Sequence, residues 1–199
     1  MLRSLVGSEM CIRDSFVPYF LQVIHRLSPL AAGYMTAAMA AGWTLAAMPS
    51  ATRTGAAADR LVRLSPAVIL ASLIGLAIMT PQTAVLSSLA GLAAYIVALA
   101  GVGFGIGLAW PHLLTRIFNA APKGEETLTS SSITTVQLYA SAVTAALAGV
   151  VTNSAGLADP GGVEGAQQAA RWLFAAFAAA PALALLLLGR VTRATAGRH

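Results

Sequence analysis

The chain has 199 residues, 57% of them apolar and 10% charged, with a formal net charge of +5. A soluble domain carries about a quarter charged residues, so this composition cannot furnish a water-facing surface. The lysines and arginines stand at the ends of apolar blocks rather than on one patch, which argues against nucleic acid as a partner, and the single cysteine, Cys11, excludes an internal disulfide and a thiolate metal cluster.

Residues 1–15 share nothing in composition with the Ala/Leu-rich remainder. Glu9, Arg13 and Asp14 interrupt what a secretory signal would need as an apolar stretch. The run Glu9-Met10-Cys11-Ile12-Arg13-Asp14-Ser15 resembles the translation of a transposon-end sequencing adapter, so residues 1–15 are expected to be a non-native leader, with the native frame continuing upstream of Phe16. Phe16 to Ile24 is apolar and aromatic but about half the length of a span, and predicts the end of a truncated helix over 16–25.

Ser28-Pro29 places a capping hydroxyl before a proline at the first helical position, where a missing N–H costs nothing, and predicts a span over 29–50. A polar stretch over 51–64 holds Arg53, Asp59, Arg60 and Arg63 and is expected to be a loop. Ser65-Pro66 repeats the start signal and predicts a span over 65–80. After the uncharged turn Thr80-Pro81-Gln82-Thr83, the next span is expected over 85–111, bent or ended by Pro111. A hydroxyl-rich helix is expected over 127–152, then a Gly/Pro-containing loop, then a last span over 169–189. The predicted fold is an all-α polytopic membrane bundle of five complete spans plus a truncated one, with 16–199 as one half-bundle.

Counted by alternate loops, Arg53, Arg60, Arg63, Arg116, Lys123, Arg190, Arg193 and Arg198 fall on one side, and Arg26 and Arg171 on the other. Cytoplasmic loops hold the excess of Lys and Arg, so the loops at 51–64 and 116–126 and the C-terminus are expected inside, those at 25–28, 80–84 and 153–168 outside. That orientation fits a multi-pass protein of the inner (plasma) membrane with the lipid bilayer as its first partner.

The run from Gly55 through Asp59 and Arg60 to Arg63 resembles the G-x-x-x-D-R-x-x-R loop of the major facilitator superfamily. The resemblance implies that Asp59 and Arg60 act in a conformational latch between helix ends. Tyr19-Phe20-Leu21-Gln22 followed by Ser28-Pro29-Leu30-Ala31-Ala32-Gly33, with Gly124-Glu125-Glu126 and Gln137 further on, is similar to the drug/proton antiporter branch of that family in its carboxy-terminal half. By this resemblance the whole protein would export small organic compounds in exchange for protons. Its substrate would bind near the midplane between this half and a missing N-terminal half. The rival reading is a membrane anchor of an integral membrane enzyme, or a non-transporting subunit.

Within the spans, Gly101, Gly103, Gly105 and Gly107 form two overlapping small-xxx-small pairs, Gly101 with Gly105 and Gly103 with Gly107, that would let neighbouring helices approach closely. The spacing breaks the dinucleotide fingerprint and no strand precedes it. The polar groups at membrane depth, Tyr19, Gln22, Trp43, Tyr95, Gln137 and Tyr139, are candidates for the wall of a substrate cavity, the rival being interhelical bonds and interfacial belts. His112, after Pro111 near the inner end of its span, reads as an interfacial histidine, the rival being a member of a proton relay. No Ser/His/Asp set, His-x-x-x-His or paired intramembrane carboxylates occur, so no catalytic residue, metal site or cofactor is expected, and a proton-coupling carboxylate would lie in the missing part.

Overall fold

The computed structural model describes residues 16–122 and 124–196, except the side chains of 188–196. The leader assigned to residues 1–15 therefore lies outside the described residues, as do Lys123 and Arg198 and the side chains of Arg190 and Arg193.

Among the described residues six α-helices follow one another in chain order: α1 Val17–Val23, α2 Pro29–Ala51, α3 Gly55–Met79, α4 Leu89–Asn119, α5 Glu126–Ser154 and α6 Gly162–Ala196. A 3-10 turn, Val85–Ser87, precedes α4. Of these, α3 to α6 are long and apolar enough to cross a membrane. The 23-residue α2 has the length, but Gly33, Tyr34, Thr36, Gly42, Trp43 and Thr44 dilute its hydropathy.

Helix starts follow local capping chemistry. Ser28 accepts a hydrogen bond from the Ala31 N–H at 3.3 Å with Pro29 at the first helical position, and Ser88 accepts from Gly91 N–H at 3.0 Å at the start of α4. Helix interiors override the proline signals. α3 begins at Gly55, ten residues before the expected 65, because the Ala-, Leu- and Arg-rich stretch from Ala56 to Leu64 favours helix and Pro66 is absorbed within it. The stretch expected as a loop over 51–64 is thus mostly helix. α4 likewise runs through Pro111 to Asn119, and α6 starts at Gly162 rather than 169 and passes through Pro181. In lipid a helix interrupted by proline is still the cheapest way to satisfy the remaining backbone groups.

α4 is the central helix, packed between α2 and α3, while α3 also packs on α6. The core joins Phe20 and Leu21 of α1, Ile69, Leu73 and Leu76 of α3, Tyr95, Leu99 and Val102 of α4, and Leu173 and Phe174 of α6. Phe20 and Phe174 meet with ring centroids 6.4 Å apart, seating the short α1 on α6.

The glycines of α4 set these approaches, and each pair faces a different neighbour. A Cβ on Gly103 or Gly107 would overlap the carbonyls of Met39 and Trp43 on α2, and one on Gly42 would overlap the carbonyl of Ala100. A Cβ on Gly101 or Gly105 would instead meet side chains of α3, Ser72 and Ile69. α5 is peripheral: only Thr144, Ala148 and Thr152 are buried, all in its C-terminal half, and it packs chiefly on α6.

Candidate functional site

The two ends of the bundle carry different chemistry, set by which helix termini the topology gathers there. At one end stand the start of α3 and the end of α4. Gly55 opens α3 at φ +57°, a left-handed conformation that glycine adopts freely, and nothing lies within 4 Å of where a Cβ would be. One turn later Asp59 Oδ1 accepts a hydrogen bond from Arg116 Nη2 on the last turn of α4, and the two form an ion pair with both side chains about half exposed. Arg60 and Arg63 lie exposed beside it.

The pair joins residues 57 apart in sequence, and spacing alone gives no sign of Arg116 as the partner. The visible signal is the alternation of charged loops, which assigns Asp59 and Arg116 to the same side.

Just inside this end, Ser50 Oγ of α2 donates to the Leu108 carbonyl at 2.8 Å and lies 2.9 Å from His112 Nε2, so the histidine donates to the serine oxygen. Both side chains are buried. His112, which the sequence places at an interface, is therefore a buried tie between α2 and α4, four residues before Arg116. Ser50→Ala takes the serine oxygen away from the buried imidazole and is expected to lower stability by about 1–3 kcal/mol, read from unfolding of the purified chain in detergent.

The other end gathers the α1–α2 turn, the end of α3 and the start of α6. His25 Nε2 lies 3.1 Å from the Thr80 carbonyl, Thr80 Oγ1 lies 3.1 Å from Tyr95 Oη, and Gln167 Nε2 donates to the Pro81 carbonyl at 2.8 Å. Nothing in the sequence points to this network, since each member is a lone polar residue in or beside an apolar block.

The six residues proposed for a cavity wall do not converge. Tyr95 departs from its expectation: it is fully buried in the core, its hydroxyl paired with Thr80 Oγ1 at the end of α3, since a buried phenol needs a hydrogen-bond partner. Tyr19 is exposed and rests edge-on against the Phe20 ring at 5.7 Å. Gln22 donates to the Pro18 carbonyl of its own helix at 3.1 Å. Trp43 is exposed on α2.

On α5, Gln137 is half-buried and Tyr139 is 73% exposed, on different faces of the helix. The α5 hydroxyls turn inward on their own helix: Ser131 to the Leu128 carbonyl, Thr134 to Ser130 and Thr135 to Ser131. Among the described residues no group of three His, Cys, Asp or Glu side chains is placed to hold a metal ion.

A chain whose described residues form helices, four of them long and apolar enough to cross a bilayer, is a multi-pass membrane protein. It is similar to the probable multidrug-efflux transporters of Mycobacterium tuberculosis strains CDC 1551 / Oshkosh and ATCC 25618 / H37Rv, each 36% identical over 165 residues, 82% of this chain and 33% of the relative. The chain spans about a third of the length of these curated relatives. No protein-family model matches it. No solved structure matches it.

Proposed function

We propose that residues 16–199 are the carboxy-terminal half-bundle of a major facilitator-type secondary transporter, five spans and the end of a sixth, that exports small organic compounds in exchange for protons. The protein sits in the inner membrane with its C-terminus cytoplasmic, and residues 1–15 are a non-native leader. Asp59 with Arg116 closes the cytoplasmic end in one conformation, Arg60 and Arg63 lying next to them. The missing N-terminal half covers the open faces of α2 and α5, and the substrate binds between the halves near the midplane.

The observation that carries this reading is the Asp59–Arg116 pair, because the resembling motif requires its acidic residue to bind a neighbouring helix end rather than water. Two further facts support it: the 36% identity to proteins named as efflux transporters, and the exposure of Leu138, Tyr139, Val143 and Leu147 along α5. An apolar face of that extent needs lipid or another helix against it.

The test is to sequence the source DNA across the codon for Phe16 and express the complete frame in cells loaded with a fluorescent lipophilic cation. The expected result is an upstream half with an intramembrane carboxylate, and dye export that collapses with the proton gradient. A frame that begins at Met1, or a complete protein that moves no dye under any gradient, overturns the reading. The 199-residue chain alone is expected to export nothing, because it holds one wall of the pathway.

A further inference from the structure

His25 occupies a position that neither the efflux reading nor the similarity to known transporters uses. It sits in the α1–α2 turn, half-buried, and bridges to the far end of α3 through the Thr80 carbonyl at 3.1 Å. A carbonyl only accepts, so Nε2 carries the proton in the neutral and the charged ring alike. The other nitrogen, Nδ1, is buried with no hydrogen-bond partner.

The adjoining residue Arg26 holds φ +53°, a left-handed conformation unfavourable to a side chain with a Cβ, so the turn is strained where His25 fastens it. Thr80 in turn binds Tyr95 of α4, whose ring meets the imidazole edgewise with centroids 6.0 Å apart, and the following Pro81 carbonyl is held by Gln167 of α6. One imidazole thus lies at the junction of α1, α2, α3, α4 and α6.

We propose that His25 is a proton-operated fastener of this end of the bundle: the neutral ring holds the α1–α2 turn against α3, and protonation releases it. Neutral, the imidazole needs one acceptor and has it. Protonated, it gains an Nδ1–H buried where the closed turn makes no hydrogen bond to it and a charge that burial strips of water; the Thr80 and Thr83 carbonyls offset this only in part, and both costs are relieved when the turn lifts into solvent.

The groups that face the ring from each packed element offer no compensating anion. α3 brings Thr80 and the uncharged Pro81-Gln82-Thr83 turn, and α4 brings Tyr95. α6 brings Gln167, with Glu164 and Arg171 exposed about a turn to either side and neither paired with His25. The nearest charge along the chain is the cationic Arg26, which opposes a second positive charge.

Burial pushes the His25 pKa below 6.5, outweighing the carbonyls of Thr80 and Thr83, which pull it the other way. A lowered pKa in the closed form means that the open form binds more protons, so closure is fully present above the ordinary histidine range and is lost as pH falls through it. The inference stands on the geometry of this end and does not depend on transport.

The test is hydrogen exchange of the complete chain in lipid nanodiscs, with rates divided by their intrinsic values at each pH. The reporter is the Leu27 amide, which donates to the Leu21 carbonyl at 3.2 Å and fixes the turn. Between about pH 7.5 and 5.5 its protection is expected to fall about fivefold or more, and to stay flat in His25→Gln, which keeps a donor for Thr80 but cannot take a proton.

His25→Ala is expected to lower protection at both pH values. Unchanged protection in the native chain overturns the proposal, as does a glutamine variant that responds to pH like the native one. The native comparison needs no substitution, so it refutes or supports the fastener even where a variant fails to fold.

Discussion

Replacing Gly103 with alanine is expected to destabilise the bundle by about 2 kcal/mol, within the range for forcing extra atoms into a packed core. The added methyl would overlap the Met39 carbonyl, which belongs to the backbone of α2 and cannot rotate away. The two helices must separate, and the buried contacts of Met35, Met39 and Val102 loosen together.

Gly101→Ala is the informative comparison. Its methyl meets the Ser72 hydroxyl, the tip of a side chain that can turn aside, so a smaller loss is expected. Gly149→Ala is the opposite control: nothing lies within 4 Å of the new methyl, and removing a helical glycine stabilises by about 0.5–1 kcal/mol. Unfolding of the three variants by SDS titration, followed by far-ultraviolet circular dichroism, ranks them. If Gly103→Ala unfolds with the native chain, the close contact between α2 and α4 is not what holds the central helix.

The second large effect concerns function rather than folding. If the complete protein exports as proposed, Asp59→Asn is expected to slow that export about fivefold, while thermal stability shifts by no more than about 1 kcal/mol. The two magnitudes are linked: the side chains are about half exposed, so the ion pair is worth about 1 kcal/mol at most, and the same energy withdrawn from one of two conformations changes their ratio about fivefold.

Exchanging the charges, Asp59→Arg with Arg116→Asp, is expected to restore most of the rate, and raised salt to mimic the single variant. Measured as initial rates of dye export in cells with matched protein levels, a native rate for Asp59→Asn would remove the pair from the transport cycle. A loss that the exchanged pair does not rescue would assign Asp59 to some other contact.

The sequence by itself determined the class of the chain and the grouping of its turns. Apolar blocks without charges, bounded by Ser28-Pro29 and by Arg-containing segments, are local signals, and the physics that reads them is local too: a helix in lipid satisfies its own backbone, and a charge avoids hydrocarbon wherever it stands in the fold. Asp59 and Arg116 fall to one side of the alternation, and His25, Thr80 and Gln167 to the other; the hydrogen bonds join residues within each group. The glycine spacing of α4 suggests close approach, but not that Gly103 and Gly107 face α2 while Gly101 and Gly105 face α3.

Only the tertiary structure decided the partners. That Arg116 donates to Asp59, that Ser50 binds His112, and that Tyr95 is core rather than cavity wall all depend on which helix lies beside which, over separations of 57, 62 and 15 residues. The α3 start moved for the same reason in reverse: Ser65-Pro66 is a sound local signal, but both residues are buried against neighbouring helices, and a proline whose surroundings are packed continues a helix that an isolated segment would have begun there. Propensity acts within about one turn of chain, whereas burial and hydrogen-bond pairing are settled by contacts that the order of residues does not display.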